Sequence, residues 1–166
     1  MGKNIDAKDV HLYRPGVGII LLNHQEDIFM AQRADRSSPA WQMPQGGIDE
    51  GESPEQAVWR ELKEEVGTDK ALLLRRSGLW HFYDLPEDLK GKLWGGKFIG
   101  QRQKWYLLRF NGGDNDINIK STPNPEFTAW RWVPKEQVIK LIVPFKRDLY
   151  RAVLREFFPT IKFPRL

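Results

Sequence analysis

The sequence predicts an α/β domain in which helices cover both faces of a mixed β-sheet. Three observations lead there. Short apolar runs bounded by turn residues recur at 17–22, 28–33, 104–110 and 127–133, and read as strands. Stretches of helical period fall between and after them, at 53–66, 134–142 and 145–158. No internal repeat or linker divides the 166 residues, so they are expected to form one domain, large enough for a real core. Strands interleaved with helices in one unit leave the sheet between two helical layers.

At the start, positions 1–10 carry Lys3, Asp6, Lys8 and Asp9 and offer no apolar stretch for a signal peptide. Asp6 stands where a myristoylation signal needs Ser or Thr. The longest apolar run, 17–22, is far too short to span a bilayer. It reads as a buried strand, with 23–27 turning into a second strand at 28–33. A loop follows at 34–39, and Trp41-Gln42-Met43 leads into Pro44-Gln45-Gly46-Gly47, a tight loop that exposes its backbone.

The helix after that loop is well specified. Ser53 suits the N-cap, Pro54 the first helical position, and Gln56 completes a capping box. Gly67 is a natural stop. Ala57, Leu62 and Val66, with Val58 or Trp59 at the margin, supply the apolar flank, so the acidic face is expected to be a different, unburied one.

Beyond it, 71–74 and 80–85 read as strands, and 86–100, with Gly91, Gly95 and Gly96, as a long excursion. Such loops in compact domains are often functional, here as a substrate lid or an interaction surface. The strand at 104–110 is followed by a turn at 111–114 and the alternation Asp116-Ile117-Asn118-Ile119. After a loop at 121–125, the strand 127–133 carries aromatics on alternate positions. Pro134 opens one helix, and a second at 145–158 has the stripe Leu149, Ala152, Val153 and Phe157.

Composition bounds the function. With 40% apolar and 12% aromatic residues the chain is globular rather than disordered. The net charge of +4, part of it from Lys162 and Arg165 in the tail, favours anionic partners such as nucleotides or RNA. Seven tryptophans suit a core or stacking on bases, and most are expected in the core, so their number decides nothing about function. With no cysteine, disulfides and thiolate zinc sites are excluded, which suits a reducing cytosol. His11, His24 and His81 are scattered and read as surface or structural residues.

The chemistry concentrates in the acidic helix. Glu61, Glu64 and Glu65 stand at i, i+3 and i+4 and share one helical face. Carboxylates so crowded repel one another unless a positive charge lies between them, and a hard divalent cation takes oxygen ligands. A solvated acidic face with ordinary i, i+4 pairing is the alternative, since Arg60 precedes Glu64 by four residues. The glycine turn, whose carbonyls are further oxygen donors, and Glu52 favour the cation.

Gly46, five residues, Glu52, seven residues, Arg60-Glu61-Leu62, one residue, Glu64-Glu65, one residue, Gly67 resembles the signature box of the Nudix family at every fixed position. The one departure is Thr68, where that family has an aliphatic residue, a difference that touches packing at the helix exit. The resemblance implies an α/β/α sandwich and hydrolysis of nucleoside diphosphates linked to another group, with magnesium or manganese. Carried over by position, it implies Glu61, Glu64 and Glu65 as metal ligands with the Gly46 carbonyl, Glu61 or a neighbour as the group that orients or deprotonates water, and Arg60 as the residue that positions the glutamates. Glu52 resembles a supporting position.

Segments outside the box, from about residue 13 to 158, resemble one subgroup of that family: Tyr13-Arg14-Pro15-Gly16-Val17-Gly18, Gly100-Gln101-Arg102-Gln103-Lys104-Trp105, Pro125-Glu126-Phe127, Trp130-Arg131-Trp132-Val133 and Pro144-Phe145-Lys146-Arg147. That subgroup holds bacterial RNA pyrophosphohydrolases and dinucleoside polyphosphate hydrolases. It implies 5′-triphosphorylated RNA as substrate, or a dinucleoside polyphosphate such as diadenosine tetraphosphate, in the cytoplasm and away from membranes. Glu126 matches a position that reaches the metals from outside the box. Cations must meet the phosphates the metals do not, and Arg14, Arg33, Lys104 and Lys146 are candidates. Phe145 is a candidate stacking surface for a base, with Arg33 opposite, and Tyr83 is a further candidate for the phosphates or base. Each also has an ordinary reading, a solvated charge or a core aromatic. A Nudix fold that only binds RNA should have lost some of Glu61, Glu64 and Glu65, and all are present.

Overall fold

A computed structural model describes residues 5–34 and 40–163. Lys3 at the start of the chain, positions 35–39 of the loop expected at 34–39, and Arg165 lie outside the described residues.

Strand β1 (Tyr13–Leu22) occupies the centre of a mixed sheet. Its near-continuous apolar run, Val17-Gly18-Ile19-Ile20-Leu21-Leu22, is what a strand covered on both faces requires. On one side it pairs antiparallel with β2 (Ile28–Arg33), which in turn carries β3 (Trp41–Gln42). It also pairs with β4 (Gln45–Gly47), the stretch expected to be loop. The cause is a close approach: Gly47 and Gly46 pair with Gly16 and Val17, and a Cβ on Gly16 would fall 2.8 Å from the Gly46 carbonyl oxygen. On the other flank, β5 (Ala71–Arg76) and β6 (His81–Asp84) pair with β7 (Gly100–Phe110), which runs parallel to β1 from Tyr13↔Gly100 to Leu22↔Arg109. The strand expected at 104–110 thus begins four residues earlier. Finally β8 (Phe127–Val133) pairs antiparallel with β2.

Alternation along β1 divides the core. Val17, Ile19 and Leu21 join Phe29, Tyr106 and Leu108 beneath Ala57, Val58, Leu62 and Val66. On the opposite face, Ile20 and Leu22 join Met30, Trp105 and Leu107 beneath Val138, Ile139, Tyr150, Val153 and Leu154. The sheet is therefore covered on both faces, as expected. Fully burying each such aliphatic side chain contributes about 1.5–3 kcal/mol.

The helices depart from their expected bounds in instructive ways. The first, α1 (Pro54–Glu61), has the expected capping box at Ser53 and Gln56. It then widens into a π-helical turn, Leu62–Val66, before Gly67 stops it in the left-handed conformation at φ 81°. A π turn shifts the phase of the side chains that follow, and such turns are frequent at functional sites. After Pro134, a short 3-10 turn precedes α2 (Val138–Leu141). The last helix, α3 (Arg147–Phe157), starts later than expected, and Phe145 belongs to a separate 3-10 turn, Pro144–Lys146. Ile117 and Ile119 are buried without forming a strand. Among the described residues no helix is long and apolar enough to cross a membrane.

Candidate active site

A cleft of about 1100 Å³ opens where the end of α1 and its π turn meet β4. Glu61, Glu64, Glu65 and Gly46 line one side, and Glu126 faces them from the segment before β8. Arg14 of β1 and Arg33 of β2 line it as well. Tyr83, Phe145 and Lys146 form the far wall, and the 86–100 excursion closes the rim with Leu89, Leu93 and Trp94.

The glutamates are not on an unburied face. Glu61 and Glu65 are only 8% and 6% exposed, while Glu64 is open to solvent. This corrects the expectation that the apolar and acidic faces are separate. The π turn begins between Glu61 and Glu64, so the α-helical spacing no longer holds, and β4 lies across the helix end and covers the inner two carboxylates. The contact is close. A Cβ on Gly46 would fall 2.0 Å from the carboxyl carbon of Glu61, so glycine is what allows backbone and carboxylate to meet. The Gln45 backbone N–H donates to Glu65 Oε2 at 3.2 Å.

Burial and crowding set the charge state. Desolvation pushes the Glu61 carboxyl up to about 7; Arg60 opposes the rise, and the charges of Glu64 and Glu126 add to it. Burial also raises Glu65 well above the carboxylate range, helped by Glu61 and Glu126 and opposed by the Gln45 amide and Arg33. Carboxylates forced together with too little positive charge form the donor set that a hard divalent cation takes. Among the described residues no three acids or imidazoles are already gathered into an ion cage, and Glu61 is turned toward Arg60.

Arg60 does not line the cleft; it buttresses it from behind. Its Nε and Nη2 donate to the two Glu52 oxygens, each at 2.8 Å. Nη1 donates to Glu61 at 2.7 Å and, more weakly, to Glu64 at 3.4 Å. Nη2 also reaches the Gly47 carbonyl at 2.8 Å. The hydrogen bonds from Arg60 hold the Glu52 carboxyl down at about 2 against partial burial. Glu52 thus fixes Arg60, and Arg60 fixes Glu61.

On the far wall, Tyr83 and Phe145 meet at 6.2 Å between ring centroids, and the Lys146 ammonium lies 5.2 Å from the Tyr83 ring and 5.9 Å from Phe145. Arg33 approaches Glu126 at 3.9 Å. Lys104 is not brought to the cleft. Its strand alternates, Gln101 lines the cleft, and Lys104 on the opposite face rests 5.4 Å from the Trp80 ring. The sequence reading therefore had the right strand and the wrong face.

Several cleft residues were missed. Gln101 accepts from the Tyr83 hydroxyl at 2.9 Å and from Gln103 at 3.2 Å, and Gln103 also donates to Gln45 at 3.0 Å. The alternation Gln101-x-Gln103-x-Trp105 was a legible signal, since polar residues on a buried strand face need partners. Trp94 had no such signal, because its position depends on the course of a glycine-rich loop. His81, by contrast, is structural as expected, bound to Glu156 at 2.8 Å.

Comparison with known proteins agrees with this geometry. Residues 12–153 match the NUDIX domain. An RNA pyrophosphohydrolase of Rhodospirillum rubrum is 58% identical over 144 residues, which cover 87% of this chain and 86% of that protein. One of Rickettsia canadensis is 50% identical over 156 residues, covering 93% and 96%. Among solved structures, the E. coli dihydroneopterin triphosphate pyrophosphohydrolase superposes with a TM-score of 0.64 at 20% identity, over 85% of this chain and 96% of that one, a likeness of fold.

Proposed function

The chain belongs to the Nudix family, and from that premise we propose that it is a metal-dependent hydrolase that removes pyrophosphate from the 5′ end of triphosphorylated RNA. The observation that carries the reading is the pair of buried glutamates, Glu61 and Glu65, crowded by Glu64 and Glu126 at the end of an open cleft. The names of relatives at 50–58% identity support RNA as the substrate. Nudix hydrolases generally use divalent ions, and magnesium or manganese is the proposed cofactor. The cytoplasm, where nascent RNA is found, is the proposed location.

Glu61, Glu64, Glu65, Glu126 and the Gly46 carbonyl would hold the cation. When bound, it supplies charge neutralisation for adjacent phosphates and acidifies water. The remaining chemistry belongs to the side chains. Water attacks a phosphorus of the 5′ polyphosphate, the bond to the bridging oxygen breaks, and pyrophosphate leaves behind a 5′-monophosphate end. Glu61 or a neighbouring glutamate orients the attacking water and accepts its proton. Arg60 holds the Glu61 carboxylate in place. Arg14, Arg33 and Lys146 meet the phosphates, and Phe145 with Tyr83 receives a base.

A second substrate class has one observation in its favour. The paired rings of Tyr83 and Phe145, 6.2 Å between centroids, offer stacking surface to a base of a dinucleoside polyphosphate as well as to the first base of an RNA. Parallel kinetics on 5′-triphosphorylated RNA and diadenosine tetraphosphate test the ranking. Efficient release of pyrophosphate from RNA is expected; turnover of the dinucleotide alone would overturn it.

A further inference from the structure

We propose that Trp94, delivered by the 86–100 excursion, is a positioning residue that holds the Arg14 guanidinium at the glutamate end of the cleft to receive substrate phosphates. The inference rests on the function proposed above only in requiring a polyphosphate substrate, whichever nucleotide carries it.

Arg14 is held by two contacts. Its guanidinium carbon lies 5.2 Å from the centre of the Trp94 ring. A Cβ on Gly47 would fall 2.2 Å from Arg14 Nη2, so the guanidinium also lies directly against the Gly47 backbone. Gly47 adjoins Gly46, which touches the Glu61 carboxylate, and the clasp therefore sits one residue from the acidic cluster.

The charge of Arg14 is not cancelled. Among the described residues it forms no ion pair, whereas Arg33 faces Glu126, and Arg60 has Glu52, Glu61, Glu64 and Asp49 within 3.4 Å. An arginine oriented by a carboxylate has a neutralised charge. One oriented by an indole face keeps its charge and its N–H donors for an incoming anion.

The loop is shaped to make this contact. Trp94 sits at φ 53° and ψ 36°, a left-handed conformation that bulky residues rarely adopt and that persists only where the surroundings hold it. Leu89 and Trp94 pack on the core, and Phe98 meets the Trp94 ring edge-on at 6.3 Å. Such strain at a cleft wall is expected where orientation of a side chain serves binding.

The test is a kinetic double-mutant cycle on 5′-triphosphorylated RNA and on diadenosine tetraphosphate. Trp94→Ala should raise KM on the order of threefold to thirtyfold, the span of a cation–π contact, with kcat little changed. Trp94→Leu keeps apolar packing without a π face, so it should behave like Trp94→Ala even if the alanine variant folds poorly. Trp94→Phe should restore most of the affinity. In an Arg14→Ala background, Trp94→Leu should add nothing, because the tryptophan acts through the arginine. Additive effects of the two substitutions, or a wild-type KM in Trp94→Leu, would overturn the proposal. Turnover of the dinucleotide without RNA would overturn only the proposed function, and the cycle is then read on the dinucleotide.

Discussion

Two arginines meet the same glycine and do opposite things. Arg60 reaches the Gly47 carbonyl from the helix side, surrounded by carboxylates within hydrogen-bond reach. Arg14 lies against the Gly47 α-carbon from the cleft side and, among the described residues, has the Trp94 indole beside it and no carboxylate paired with it. The first spends its charge inside the protein, holding Glu52 and Glu61 in place. The second is held without being neutralised. The surroundings, more than the residue type, decide whether an arginine is structural or available to a ligand.

The Arg60 side should be the more sensitive. Glu65→Gln removes a buried carboxylate from the proposed cation site, and kcat is expected to fall on the order of 10²–10⁴. The metal-free variant should unfold at a higher temperature than wild type once the pH passes the ordinary carboxylate value of 4.5, since the cost of burying an ionisable group is gone. Full kcat with magnesium in Glu64→Gln and Glu65→Gln would remove the glutamates from the chemistry.

Arg60→Ala is expected next. It strands the nearly buried Glu61 and frees Glu52, so stability should drop by about 2–3 kcal/mol in urea unfolding, together with activity. Arg60→Lys should recover little, because one ammonium cannot replace a fork that spans Glu52, Glu61 and Gly47. Arg60→Ala as stable as wild type would break the contrast between the two arginines.

The same side should govern pH dependence without metal. The Glu61 carboxyl lies near 7 against an ordinary 4.5, so between those values the folded state binds more protons than the unfolded one. Stability should therefore fall as pH rises through that window, and Glu65 acts in the same sense. Glu52 works the other way: held near 2 by Arg60, it contributes stability above 4.5 that is lost as pH falls toward 2. Thermal melts of metal-free protein should peak near pH 4.5–5, and added magnesium should stabilise most at high pH, where it replaces the missing positive charge. A metal-free melting temperature that climbs from pH 5 to pH 8 would contradict this.

The smallest effect on the fold is expected at Arg14. Among the described residues Arg14 has no ion pair to lose, so Arg14→Ala should cost on the order of 0.5–1 kcal/mol, the span of an exposed cation–π contact and less than Arg60→Ala, while weakening substrate binding. A large loss of stability would show that Arg14 is structural after all.

The chain announces some of this locally. The capping box at Ser53 and Gln56, the stop at Gly67, the strand patterns of β1, β2 and β8, and the identity of the glutamates are all written within short windows of sequence. They are legible because capping, period-2 alternation and charge spacing act between near neighbours. What escaped depends on distant partners. The π turn arises where α1 meets the sheet, and it buries Glu61 and Glu65 under β4, which reads in isolation as a loop. Lys104 carries the right charge on the right strand, but register with β1 turns it away from the cleft. Trp94 reaches Arg14 across eighty residues of chain. The sequence by itself thus determined which side chains are candidates for the chemistry. Only the tertiary structure decided which of them are desolvated and which keep their charge, because desolvation and pairing depend on what packs against a group, and those neighbours come from elsewhere in the chain.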